Sequence, residues 1–375
     1  MISRSLFHFF LILTLFVSPA QLYAMGAPPP HKYIPVRVLV VKGVPEITLR
    51  IKGPYKIVDL EGGQILIEGR NLKKQSLSKK DIHSEGMKIL TGGKPRVYIN
   101  GRQFRGDIDI IKDKDEKLIV VNHIDIEEYL YGVLYHEVSH RWPIEVLKAQ
   151  AIASRTYALY QKLVSKNKYF DLTSDVYSQV YGGKRSETWR TTKAVNLTTG
   201  IVLTYDDKVF PSYYHATCAG HTSSVTTLWD IDVPALIGRP CNFCNISPHY
   251  KWKRELTLDD IWDRFQKGGY DIEPVSFDIL RRDEAERILE LEVKGKNKNI
   301  RLGGNKFRLL LGPNVIKSAN FQVNARGRYI TFHGKGWGHG IGMCQWGAYG
   351  MGRLGWKTEE ILNYYYPGAK ISRVE

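Results

Sequence analysis

The sequence predicts an α+β protein. A β-rich N-terminal part is followed by a mixed helix and strand region that ends in a glycine-rich segment. Two observations carry this. Residues 36–124 hold short runs rich in β-branched residues, separated by Gly, Pro or charged turns. At Asp125 the composition changes to strong helix formers, and helical and strand-like runs then alternate to the C terminus.

The chain opens with Arg4 and an apolar run, LFHFFLILTLFVSPA, ended by Ser18-Pro19. That run is short for a membrane span. It reads as a signal peptide over residues 1–24, cut near Ala24, with an uncleaved N-terminal anchor as the alternative. An exported protein (periplasm, cell envelope or outside) is expected. Residues 25–33 are a Pro-rich lead-in, and 25–124 form the expected β-rich platform. Its strand runs are VRVLVV, EITLRI, YKIVDL, QILIEG, RVYIN and KLIVVN.

Residues 125–375 form the expected catalytic region. DIEEYLYGVLYHEV reads as a helix, and Pro143 marks the first turn of the next. Along PIEVLKAQAIASRTYALYQKLV, Leu147, Ala151, Ser154 and Ala158 share one face, suited to close packing. Lys148 and Arg155, two turns apart, share another, which reads as a solvated basic stripe. Strands return over 199–214. Farther on, TLDDIWDRFQKGG reads as a helix, ILELEV and KFRLLLG as strands, and TEEILNYYY as a helix stopped by Pro367-Gly368.

The formal charge is +16, and loss of residues 1–24 removes only Arg4. A basic exported protein is expected to meet a polyanion. No nucleic-acid module is visible, so nucleic acid is not the expected partner.

Three constellations can carry chemistry. Cys218-x-x-His221 and Cys241-x-x-Cys244, with nineteen residues between the pairs, have the spacing of a Cys3His zinc site. Four protein ligands would make it structural. His215 is a rival fourth ligand, a disulfide is a rival reading, and Cys344 is taken as a structural spare. The glycines at 336, 338, 340 and 342 lack the Lys-Ser/Thr ending of a phosphate loop. Alternating with Trp337, His339 and Trp346, they suggest thin backbone beside a polymer, with rings stacking on sugars, or else a structural turn packed by tryptophans. Finally, His136-Glu137-Val138-Ser139-His140 matches H-E-x-x-H, which on a continuous helix holds zinc with the Glu as base. Pro143 shortens that helix, and no third ligand is evident.

GVLYHEVSHRWPIEVLKAQAIASRTYAL and FHGKGWGHGIGMCQWGAYGMGRLGWKTEEILNYYYPG resemble the stage II sporulation protein D family, which includes the amidase-enhancer domain. The likeness runs from about Val36 to Tyr366. It implies a lytic transglycosylase that cuts peptidoglycan glycan strands, preferably stripped of stem peptides, or a non-enzymatic enhancer of a cell-wall amidase. A zinc hydrolase built on His136 and His140 is the third reading. The resemblance implies that Glu137 is the catalytic acid, and that Lys148, Gln150, Arg155, His339 and Gln345 are substrate or support residues. The histidines flanking Glu137 are not part of the family pattern. A lytic transglycosylase needs one carboxyl group, because the sugar's C6 hydroxyl is the nucleophile. Such a Glu must stay protonated near neutral pH, in an apolar setting that Tyr135, Val138 and Trp142 are expected to supply. Lys148 and Arg155 are expected to read the lactyl carboxylates of bare glycan.

Overall fold

The computed structural model describes residues 31–374 apart from 83, 93–95 and 176–177. The expected signal segment and most of the Pro-rich lead-in lie outside the described residues. Among the described residues, no helix is long and apolar enough to cross a membrane.

The expected α+β architecture is present. Eight strands build the N-terminal sheet: β1 (Pro35–Val44), β2 (Glu46–Asp59), β3 (Ile65–Ser78), β4 (Gly86–Leu90), β5 (Arg96–Ile99), β6 (Arg102–Phe104), β7 (Asp107–Lys112) and β8 (Leu118–Asp125). A later strand, β9 (Leu172–Thr173), completes it. The order is β6-β5-β2-β4-β7-β8-β1-β9, with β3 paired to β2 off this path. EITLRI and YKIVDL, expected as two strands, are one. The pairing slips at Gly53-Pro54, where Gly53 takes φ +106°, and β2 continues through this bulge. Ile47, Leu49 and Ile51 point inward along β2, with the period of two that one buried face demands.

Helix α1 (Ile126–Glu137) starts where the Asp125 carboxylate accepts the Glu127 N–H at 2.9 Å. After a short turn, α2 (Ile144–Val164) starts behind Pro143. Tyr129, Leu130 and Val133 of α1 and Ala151 and Ala158 of α2 share one core with the platform strands. Asp125 therefore marks a change of element type and not a break in the core. Helix α3 (Trp189–Leu197) follows, then β10 (Ile201–Tyr205), β11 (Lys208–Val209) and β12 (Tyr214–His215).

Next comes a unit with its own core. It comprises β13 (Lys251–Thr257), α4 (Leu258–Lys267), β14 (Pro274–Arg282), β15 (Ile288–Gly295), β16 (Asn299–Leu302), α5 (Gly304–Leu311), β17 (Phe321–Arg326) and β18 (Tyr329–Lys335). Two three-stranded sheets enclose Phe265, Phe307, Phe321 and Phe332. KFRLLLG, expected as a strand, is the body of α5. Phe307 and Leu311, one turn apart, are buried in this core, while Leu309 is exposed, so burial follows the helical period.

The chain then returns through β19 (Met343–Cys344), α6 (Gln345–Arg353), α7 (Thr358–Tyr365) and β20 (Lys370–Arg373). β19 pairs in parallel with β12, which brings the glycine-rich segment beside Tyr214 and His215. The glycines there are thin against the protein's own atoms. A side chain at Gly342 would stand 2.0 Å from the Tyr213 carbonyl oxygen, and one at Gly340 would stand 2.2 Å from Arg287 Nε.

Candidate functional site

Glu137 is the last residue of α1. After it the chain turns extended at Val138, so the carboxyl group stands at a helix end and not on a helical face. Burial pushes its pKa up to about 7. Hydrogen bonds from the Val180 backbone, Gln345 and Tyr214 pull it partly back, because they favour the charged form. Among the described residues, no neighbouring carboxylate or cation contributes to this shift.

Behind the carboxyl group lies a connected polar network. Tyr214 Oη accepts from Gln179 Nε2 at 2.8 Å. Gln179 Oε1 accepts from Tyr129 at 3.1 Å. Gln345 Nε2 donates to Gln150 Oε1 at 3.3 Å, and Gln150 Nε2 donates to Ser154 at 3.0 Å. Gln150 and Gln345, 195 residues apart, thus meet beside Glu137. Tyr214, Gln179 and Ser154 have no motif of their own, and the sequence reading missed them as site residues. Only the small-residue stripe on α2 hinted at Ser154.

His339 supports this frame at one remove. Its Nε2 donates to the Tyr214 carbonyl at 3.0 Å, and its Nδ1 accepts the Ile341 N–H at 3.1 Å. Burial, with the charges of Arg308 and Arg287, pushes its pKa down to about 3. A neutral ring with both nitrogens occupied positions Tyr214. Trp337 is half-buried, with Lys317 Nζ 5.1 Å from its ring centre and His249 edge-on at 4.4 Å.

Several expectations fail on geometry. Arg155 does not read substrate. It is fully buried, grips Glu127 through Nε at 2.8 Å and Nη2 at 2.6 Å, and donates to the Ile201 carbonyl. Lys148, by contrast, keeps a part-exposed ammonium group; it pairs with Glu145 at 3.1 Å, and Glu145 in turn holds Thr358 at the start of α7. Tyr135 does not wall Glu137. It is 45% exposed and stacks on His140. Trp142 packs against Trp346 and Tyr349 of α6. The H-E-x-x-H zinc geometry also fails, because the helix it needs ends at Glu137. His136 Nε2 instead lies 2.6 Å from Ser186 Oγ.

The cysteines form a second centre. The sulfurs of Cys218, Cys241, Cys244 and Cys344 all lie within 4.8 Å of one another and are buried. Tetrahedral zinc–thiolate bonds of about 2.3 Å require sulfurs about 3.8 Å apart, so the cluster has the size of a four-thiolate metal site. The expected fourth ligand, His221, is elsewhere; its Nδ1 bonds the Thr222 carbonyl at 2.7 Å. His215 is also outside the cluster, with Nδ1 on the Ile341 carbonyl. Cys344 is no spare: its sulfur accepts N–H groups from Cys218 at 3.2 Å and Gly347 at 3.3 Å. The pairing of β12 with β19 delivers it there.

Comparison with known proteins follows the same lines. Residues 114–205 match a family described as stage II sporulation protein. The stage II sporulation protein D of Bacillus subtilis is 30% identical over 68% of this chain and 76% of its own length. The chain belongs to the stage II sporulation protein D family. An uncharacterized protein of Brachyspira hyodysenteriae is 33% identical over 90% of this chain and 92% of its own. An amidase enhancer of Bacillus subtilis is 27% identical over 74% of this chain, which spans 45% of that relative. Residues 235–342 match a domain of unknown function. The sporulation protein D match over 114–205 takes in Glu137, Gln150 and Gln179. Tyr214, Gln345 and the cysteines lie beyond it.

Proposed function

We propose that the protein is an exported lytic transglycosylase that cuts peptidoglycan glycan strands, with Glu137 as its single acid and base. The observation that carries this reading is the Glu137 carboxyl group, held protonated up to about pH 7 by burial and not by a second carboxylate. Hydrolytic glycosidases use two carboxyl groups about 5–10 Å apart. A lone protonated Glu suits the other chemistry. It gives its proton to the glycosidic oxygen as that bond breaks. The C6 hydroxyl of the same sugar forms the new bond to C1, and its proton returns to Glu137. The products are a free 4-hydroxyl and a 1,6-anhydro sugar, with Glu137 protonated again. Tyr214 and Gln345 hold the carboxyl group in place, and Gln150 holds Gln345.

Zinc bound by Cys218, Cys241, Cys244 and Cys344 would be structural, since four protein ligands leave no open position. The name of the amidase-enhancer relative supports a second reading, in which the protein acts on a partner amidase. One experiment separates the two. Purified peptide-free glycan is incubated with the protein and with Glu137→Gln, and products are read by mass spectrometry. Anhydro ends from the first and none from the second are expected. Reducing ends, or equal cleavage by the variant, overturn the transglycosylase reading.

A further inference from the structure

The 251–335 unit carries a basic face that neither the Glu137 site nor the cysteine cluster uses. On the solvent side of β13 and β18, Lys251 stands directly opposite Lys335, and Lys253 directly opposite His333. All four are exposed, while Trp252, Phe332 and Gly334 fill the core side. Side chains directly opposite in an antiparallel pair have Cβ atoms about 5 Å apart, and like charges there repel. The ion pairs recorded in this unit lie elsewhere, at Arg281–Glu290, Lys294–Asp278, Lys296–Glu273, Arg301–Glu292 and Arg328–Asp259. The repulsion between Lys251 and Lys335 is therefore built into rigid paired strands, and an anion on this face would relieve it.

The face also has a direction. β18 runs from Lys335 straight into Trp337, over which Lys317 is held. Eight residues later the same segment reaches Gln345 beside Glu137, a span of at most about 28 Å. Tyr329, an exposed ring, stands at the far end of β18, away from the paired lysines.

We propose that Lys251, Lys253 and Lys335, with Lys317 at the edge, bind the carboxylates of the glycan strand that Glu137 cuts. The face is then an ionic rail for bare, carboxylate-bearing glycan. The identity of the polymer rests on the transglycosylase reading.

The test uses the full chain with Glu137→Gln, so that strands stay intact. It is compared with the same protein also carrying Lys251→Gln, Lys253→Gln and Lys335→Gln. Binding to peptide-free glycan is measured from low to high salt, then repeated with methyl-esterified glycan and with anionic lipid vesicles. The three substitutions should weaken glycan binding about tenfold at low salt and little at high salt. They should leave binding to the esterified glycan unchanged. In the protein that retains Glu137, the same substitutions should raise KM more than they lower kcat. Equal affinity and equal salt slope for both proteins overturn the proposal. So does lysine-dependent binding to vesicles without lysine-dependent binding to glycan. If lysine-dependent carboxylate binding persists but no anhydro product forms, the catalytic reading fails and this one stands.

Discussion

Glu137 shows how one side chain's setting fixes its chemistry. Its folded-state pKa of about 7 stands above the ordinary 4.5. Between these values the folded chain keeps a proton that the unfolded chain has released. The stability tied to this proton is full below about pH 4.5 and is lost as the pH rises towards 7. Glu137→Gln should therefore raise the melting temperature at pH 8, and the gain should vanish near pH 4.5, as thermal melts at both values will check. A general acid of this pKa also sets an alkaline limb, with activity falling about tenfold per pH unit above 7. Tyr214→Phe or Gln345→Ala removes a hydrogen bond that favours the charged form, so the limb should move to higher pH. A substitution that merely loosened the structure would lower activity at every pH and leave the limb in place.

At the scale of the element, α2 shows what spacing reveals and what it hides. Gln150 and Ser154, one turn apart, both face the Glu137 network, as the period predicts. Lys148 and Arg155 share a face, also as the period predicts. Their fates differ because burial depends on what packs above each of them. Lys148 is part-exposed (26%) beside α7, whereas α1 and β10 close over Arg155. Removing one partner of a buried bidentate pair leaves an uncompensated charge, so Arg155→Ala should cost about 3–5 kcal/mol in denaturant unfolding. Lys148→Ala should cost about 1 kcal/mol or less. The same limit explains the other misses. The strand runs and the main helices were legible from composition. KFRLLLG is too short for its period to separate helix from strand. Cys344 joins Cys218 across 126 residues, and the pairing of β12 with β19 sets Tyr214 opposite Met343, two residues before Gln345. Contacts made by pairing distant segments leave no local pattern in the sequence.

Across the whole molecule, three large cores among the described residues divide the labour, beside a small fourth cluster of Leu39, Ile111, Ile119 and Val121 in the platform strands. The platform, α1 and one part of α2 share one, the cysteines with the rest of α2, α6 and α7 another, and the 251–335 unit the third. Glu137 rides on an element anchored in the first core. Two of its three hydrogen-bond donors, Tyr214 and Gln345, sit on β12 and α6 beside the cysteine cluster. Metal binding to thiolates is linked to folding, so a metal held there stabilises the cysteine core most directly. Chelation should therefore expose amides over 212–224, 240–247 and 336–350 while amides over 36–124 stay protected. Hydrogen exchange read by mass spectrometry checks this segment by segment. Cys344→Ser should give the same pattern without chelator, because it removes one thiolate and leaves the platform untouched. Loss of protection in the platform at the same chelator concentration would mean that the cores unfold as one. Glu137 would then owe its environment to the fold as a whole and not to the cysteine core beside it.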